Sequence, residues 1–157
     1  MNFKIETGYR LNVAMIVLNE EKKSLFCKRR NTENWQFPQG GVDEEEPIET
    51  AMYRELNEEV GLNKDNVEII AISKDLIYYD IPKNIRTRVL GGKYKGQAQK
   101  YFLLKHISGD IDLNEENTPE FDQYSWVPFW YPLNQVVDFK KEAYRSALIE
   151  FKNQISK

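Results

Sequence analysis

The chain of 157 residues predicts an α/β fold, a mixed β-sheet sandwiched between helices, in one domain spanning residues 1–157. Two patterns predict it. Short runs rich in β-branched and aromatic residues recur at 11–18, 25–28, 67–73, 76–80, 99–106 and 124–127. Two segments of helical period interrupt or follow them, one after Pro47 and one at the end of the chain.

In chain order, 11–18 and 25–28 read as paired strands around an Asn19-Glu20-Glu21 turn. Trp35-Gln36-Phe37 is a short strand stopped by Pro38, and Gly40-Gly41 reads as a turn. Pro47 suits the first position of a helix and Gly61 the residue just past its end. Strands at 67–73 and 76–80 follow. Residues 81–95 are polar and glycine-containing, a loop or mobile hairpin over the site. After strands at 99–106 and 124–127, Tyr144, Ala147, Leu148, Phe151 and Ile155 recur at helical spacing, so the last element is an amphipathic helix.

Composition excludes several classes. Hydrophobic residues make up 41% and charged residues 30%, ordinary for a globular protein. No apolar run approaches the roughly 18 residues of a bilayer span, and MNFKIETGYR lacks an apolar signal region. Cys27 is the single cysteine, which excludes an internal disulfide, fits a reducing cytoplasm and reads as a buried strand residue. The net charge of −3 does not suit a binder of duplex DNA. Basic residues nevertheless gather at Lys28-Arg29-Arg30, Arg86, Arg88, Lys93, Lys95, Lys100 and Lys140-Lys141, a short rim suited to a few phosphate groups.

The helix after Pro47 holds an anomaly. At about 100° per residue, Ile48, Ala51, Met52 and Leu56 form an apolar stripe, yet Glu55 and Glu59 fall inside it and Glu58 on its flank. A run of charge is ordinarily a solvated face, but here the stripe would bury it. Buried carboxylates are neutralised, paired or metal-bound, and like charges at this spacing repel by roughly 0.2–0.5 kcal/mol per pair. A divalent cation offsets both costs. Hard oxygen donors suit Mg²⁺ or Mn²⁺, and with one Cys and one His the chain offers no zinc set. Arg54 lies four residues before Glu58 and can pair with it.

The segment reads Gly40, five residues, Glu46, seven residues, then Arg54-Glu55-Leu56-x-Glu58-Glu59-x-Gly61-Leu62. It resembles the Nudix box, G-x5-E-x7-R-E-U-x-E-E-x-G-U with U aliphatic, at every fixed position. Gly8-Tyr9-Arg10, Trp35 to Gly41, Gly96-Gln97-x-Gln99-Lys100, Pro119-Glu120-Phe121-Asp122 and Val136-Val137-x-Phe139-Lys140 extend the likeness from about Gly8 to Phe151. Together they are similar to the bacterial RNA 5′-pyrophosphohydrolases, a group overlapping the dinucleoside polyphosphate hydrolases. Leu11 stands where proline is usual after Tyr-Arg, and Glu45 replaces a common glycine.

The resemblance implies a Nudix α/β/α fold and a cytoplasmic, Mg²⁺-dependent enzyme with two or more ions, Mn²⁺ substituting. Its reaction would be hydrolysis of 5′-triphosphate or 5′-diphosphate RNA to the 5′-monophosphate, initiating mRNA decay. The rival readings are a dinucleoside polyphosphate hydrolase and a catalytically silent nucleotide-sensing or partner-binding domain. The partners implied are an RNA 5′ end or a dinucleoside polyphosphate, with room for a protein activator and no membrane. The metal ligands implied are Glu55, Glu58, Glu59, Glu120 and the Gly40 carbonyl. Either Glu120 or Glu55 is the general base; a group held by two cations is a poor base, which favours Glu120. Glu58 and Arg54 complete the catalytic set, Arg54 by orienting Glu58. Substrate contacts fall to Arg10, Arg29, Gln39, Gln97, Gln99 and Lys140, with Phe139 and Tyr79 as aromatic faces for stacking a base.

Overall fold

The computed structural model describes residues 4–114 and 117–155; the first residues of the N-terminal reading, MNF, lie outside it. Eleven strands and α-helices follow in order: β1 Tyr9–Leu18, β2 Ser24–Arg29, β3 Trp35–Gln36, β4 Gln39–Gly41, α1 Ile48–Val60, β5 Val67–Ile72, β6 Ile77–Asp80, β7 Gly96–His106, β8 Phe121–Val127, α2 Tyr131–Gln135 and α3 Lys141–Ile155. The sheet runs β3-β2-β1-β7-β5, with β4 on β1, β6 on β7 and β8 on β2. Its spine is the parallel pair β1–β7, in register from Tyr9↔Gly96 to Leu18↔Lys105; every other pairing is antiparallel.

Alternation along β1 builds the sandwich. Val13, Met15 and Val17 face a core closed by Ala51, Met52, Leu56 and Val60 of α1. Ala14, Ile16 and Leu18 face a second core closed by Tyr144, Ala147, Leu148 and Phe151 of α3. Burying both faces explains why residues 13–18 of β1 are a continuous apolar run. The expected α/β/α fold is therefore the observed one. Cys27 is buried in the first core. Among the described residues, no helix is long and apolar enough to cross a membrane.

Four local expectations change. The strands at 11–18 and 25–28 share only the pair Leu18↔Ser24; beyond it they part, and β4 takes the edge of β1. Gly40-Gly41 is accordingly strand, not turn, because each opposes a β1 residue, Val13 and Asn12. Pro47 is the N-cap, its ψ of 141° still extended, and α1 starts at Ile48. Residues 81–95 are the loop joining β6 to β7, not a separate hairpin, and hold two 3-10 turns, Lys83–Arg88 and Leu90–Gly92, since Ile85, Val89 and Leu90 pack on Tyr79, Ile81 and Ala143. The short α2, opened by Trp130 and Pro132, has too little period to be read from sequence. Gly61 ends α1 as expected, left-handed at φ 75°.

Candidate active site

β4 lays its backbone against α1. Gln39 N–H donates to Glu59 Oε1 at 2.9 Å, and a Cβ on Gly40 would fall on the Glu55 carboxylate. Only glycine permits that approach. On its other side, a Cβ on Gly41 would meet the Arg10 guanidinium. Glu59 is 5% exposed, whereas the side chains of Glu55 and Glu58 are 15% and 39% exposed. The helical stripe thus carries its acids to the edge of the core, as the spacing predicts.

Arg54 anchors this corner, with a partner the spacing did not suggest. It forks onto Glu46, Nε to Oε2 and Nη2 to Oε1, both at 2.8 Å. It also donates to Glu55 Oε1 at 2.8 Å and to the Gly41 carbonyl at 2.9 Å. Glu58 stands farther, at 3.4 Å. Arg54 therefore orients the Glu46 loop and Glu55 more than Glu58, because the loop before α1 folds back alongside it. Its hydrogen bonds hold the Glu46 carboxyl below its ordinary value, against partial burial. Glu45, in the position where glycine is common, sits at φ 62° in the left-handed region.

These acids border one cavity of about 570 Å³, within the range of small-molecule sites. Gly40, Glu55, Glu58 and Glu59 line one side, and Glu120, just before β8, borders it as well. Arg29, at the end of β2, faces Glu120 at 3.7 Å. Arg10, Gln39, Gln97, Phe139 and Lys140 also border it. Lys140 is 6% exposed and donates to Gln36 Oε1 at 2.9 Å. Burial, reinforced by Arg29, lowers its ammonium to about 8.

Three expected site residues stand differently. Arg54 lies behind the cavity wall and does not line it. Gln99 is fully buried behind Gln39; its Nε2 donates to Asn12 Oδ1 at 2.8 Å and Gln39 Oε1 at 3.1 Å. Its Nε2 is thus spent on neighbours, and Gln99 does not border the cavity. Tyr79 borders the cavity but is 6% exposed. Its ring lies 5.8 Å from that of Phe139 and 5.6 Å from the Lys140 ammonium, so it presents no free stacking face. Phe139, in the turn Asp138–Lys140, is half-buried and keeps part of its ring toward the cavity.

Sequence reasoning missed the lining residues Asn12, Asn34, Ile85, Val89 and Leu90. Gln36 stood in the Trp35–Gly41 stretch and Arg88 in the basic rim, but neither was singled out as a contact. His106 is away from the cavity, bonded to the Gly109 carbonyl.

The donor set suits a hard divalent cation: carboxylates beside a glycine backbone, with no thiol or imidazole. The backbone approach at Gly40 is the cradle a Cβ would fill. Among the described residues, no three acidic, imidazole or thiol groups already form a closed ligand cluster. Arg54 on Glu55 and the Gln39 N–H on Glu59 hold the carboxylates in their present arrangement.

The NUDIX domain family model matches residues 8–150. An RNA pyrophosphohydrolase of Francisella tularensis subsp. mediasiatica (strain FSC147) is 49% identical over 153 residues, 96% of this chain and 98% of the relative. One of Pasteurella multocida (strain Pm70) is 46% identical over 146 residues, 92% of this chain and 74% of the relative. Among solved structures, the E. coli dihydroneopterin triphosphate pyrophosphohydrolase aligns with a TM-score of 0.69 at 20% identity, covering 90% of this chain and 98% of its own. A C. elegans Ap4A hydrolase binary complex aligns at 0.65 and 19% identity, with the same coverage. At such identities the structural likeness speaks for the fold alone. With the box complete and the family match spanning nearly all of the sequence, this chain belongs to the Nudix family.

Proposed function

We propose that this chain is a cytoplasmic RNA pyrophosphohydrolase, converting 5′-triphosphate or 5′-diphosphate RNA to the 5′-monophosphate. The observation that carries the reading is the single cavity where Glu55, Glu58, Glu59 and Glu120 meet Arg10, Arg29 and Lys140. The near full-length likeness to RNA pyrophosphohydrolases supports it. Nudix hydrolases generally use divalent metal ions. Here we assign Mg²⁺, with Mn²⁺ able to substitute, to Glu55, Glu58, Glu59, Glu120 and the Gly40 carbonyl, with two or more ions in the working complex. Bound there, the metal neutralises the anhydride oxygens and acidifies the attacking water.

The chain's own groups supply the rest. Arg10, Arg29 and Lys140 bind phosphate oxygens, and Gln39 and Gln97 add amide contacts along the same wall. Glu120 takes the water proton in preference to Glu55. Glu55 shares an oxygen with Arg54 at 2.8 Å, while Glu120 has only the longer 3.7 Å contact to Arg29, and a less neutralised carboxylate is the better base. The water oxygen bonds to phosphorus as the bridging P–O bond breaks. Phe139 meets the first nucleobase with the exposed part of its ring, and Tyr79 supports Phe139 from behind.

The test is phosphate or pyrophosphate release from a 5′-triphosphorylated oligoribonucleotide with Mg²⁺. Wild type leaves a 5′-monophosphate, and Glu58→Gln loses activity on the order of 100-fold while keeping its circular dichroism. Absence of metal-dependent release by wild type overturns the reading.

A further inference from the structure

Glu120 stands on a piece of backbone that other residues hold in place. It lies one residue before β8, opposite the end of β2 at Arg29. The side chains of Arg29 and Glu120 are 48% and 47% exposed and meet only at 3.7 Å. An exposed pair at that distance gains little and fixes neither partner. Where the Glu120 carboxylate points is therefore decided by its backbone.

That backbone is irregular. β2 and β8 pair as Lys28↔Gln123 and then Arg29↔Phe121, so Asp122 is an extra residue at a bulge. A bulge bends its strand and re-aims the side chains beside it. Regular pairing would set Asp122 opposite Arg29, and a one-residue slip turns side chains to the other face. The aim of Glu120, two residues before Asp122, depends on this bulge.

Lys28 holds the extra residue. Its ammonium lies 2.7 Å from Asp122 Oδ1 and donates to the Thr32 carbonyl at 2.9 Å. Lys28 is only 8% exposed, so its charge depends on these partners. The loop after β2 closes on the same corner: Arg30 N–H donates to the Glu120 carbonyl at 2.9 Å, and Thr32 Oγ1 to the Arg29 carbonyl at 2.9 Å. Arg29 and Glu120 border the cavity, whereas Lys28 and Asp122 do not.

We propose that Lys28 and Asp122 are positioning residues: their ion pair holds the bulge in β8 and so aims the Glu120 carboxylate into the cavity. This inference rests on the reading of Glu120 as the base of an RNA pyrophosphohydrolase.

Steady-state kinetics on a 5′-triphosphorylated oligoribonucleotide at saturating Mg²⁺ test it, together with melting temperatures and metal-free crystal structures. The proteins are wild type, Lys28→Met, Lys28→Arg, Asp122→Ala, Glu120→Gln and the double variant Lys28→Met with Glu120→Gln. Lys28→Met and Asp122→Ala should each lower kcat by about 10- to 100-fold, the scale of losing a partner that orients a reacting group. KM should stay within about twofold of wild type, as expected when substrate binding is untouched. The two substitutions change net charge in opposite senses, so a shared loss cannot come from weaker attraction of an anionic substrate. Lys28→Arg should recover most of kcat, and Lys28→Met should cost nothing further once Glu120 is replaced. Without metal, the Glu120 carboxylate should move by about 1 Å or more in Lys28→Met or Asp122→Ala crystals, while Glu55, Glu58 and Glu59 superpose on wild type. Asp122 is exposed, so its variant carries the test if Lys28→Met folds poorly. Variants that lower the melting temperature but not kcat would overturn the proposal. So would an undiminished loss in the Glu120→Gln background, or a Glu120 that keeps its place in the crystals. Absent Mg²⁺-dependent turnover by wild type would instead contradict the wider functional reading, with the crystals still deciding what places Glu120.

Discussion

Arg54 and Glu46 are joined by two parallel hydrogen bonds of 2.8 Å, a fork that closes the loop before α1 onto the helix that carries the acids. The same guanidinium reaches Glu55 and the Gly41 carbonyl. One side chain thus ties together loop, strand and helix. This explains why an arginine and a glutamate eight positions apart accompany the acids of α1.

Breaking the fork should cost stability in a pH-dependent way. The Glu46 carboxyl is held below its ordinary 4.5 by Arg54, so the unfolded chain binds its proton first as pH falls. The stabilisation is fully present above about 4.5 and disappears as pH drops through the lower folded value. Glu46→Gln should lose on the order of 1–3 kcal/mol at neutral pH, and the gap to wild type should close in acid. Urea midpoints across pH check this; a gap that persists in acid contradicts it.

Gly40→Ala separates fold from function. The added Cβ would strike the Glu55 carboxylate, the far end of a flexible side chain, so the helix can stay while that carboxylate swings away. We expect a melting temperature close to wild type and kcat/KM lower by about 100-fold, the scale of a 1 Å misplacement. Parallel melting and kinetic assays decide it, and retained activity would mean that Glu55 need not sit against β4.

Gln99 should matter to the fold without touching substrate. Gln99→Leu leaves Asn12 Oδ1 and Gln39 Oε1 without their bond from Nε2, a loss on the order of 1–3 kcal/mol. Chemical denaturation reads this directly; an unchanged midpoint would remove the network from the account.

Lys140 sets an alkaline dependence. Its ammonium titrates at about 8 in the fold against an ordinary 10.5, chiefly through burial. Between those values the unfolded chain holds the extra proton, so the fold gains stability as pH rises through that window and carries the whole burial cost below it. Lys140→Met should flatten this rise in urea unfolding from pH 8 to 10.5. A mutant with the same alkaline slope as wild type would show that the group does not titrate there.

The legible parts were those with a local period or a self-contained motif. The stripe of Ala51, Met52 and Leu56 carried Glu55 and Glu59 to the core edge because helical angles need no tertiary information. Tyr144 to Phe151 were legible for the same reason. Pairing between distant strands was not. Gly40 and Gly41 look like a turn until β1 is seen to pair with them, and no helical spacing shows that the loop carrying Glu46 folds back onto Arg54. Tyr79 and Gln99 illustrate a further limit: their types suit ligand contact, but neighbours from other strands and the turn before α3 cover them. Arg88 and its apolar neighbours had no periodicity to betray a cavity wall.

Side-by-side kcat/KM values on a 5′-triphosphorylated oligoribonucleotide and on diadenosine tetraphosphate, with Mg²⁺ and the wild-type protein, test the functional reading most directly. A clear preference for the RNA, leaving a 5′-monophosphate end, is the expected result. A preference for the dinucleotide, or metal-dependent turnover of neither, would contradict it.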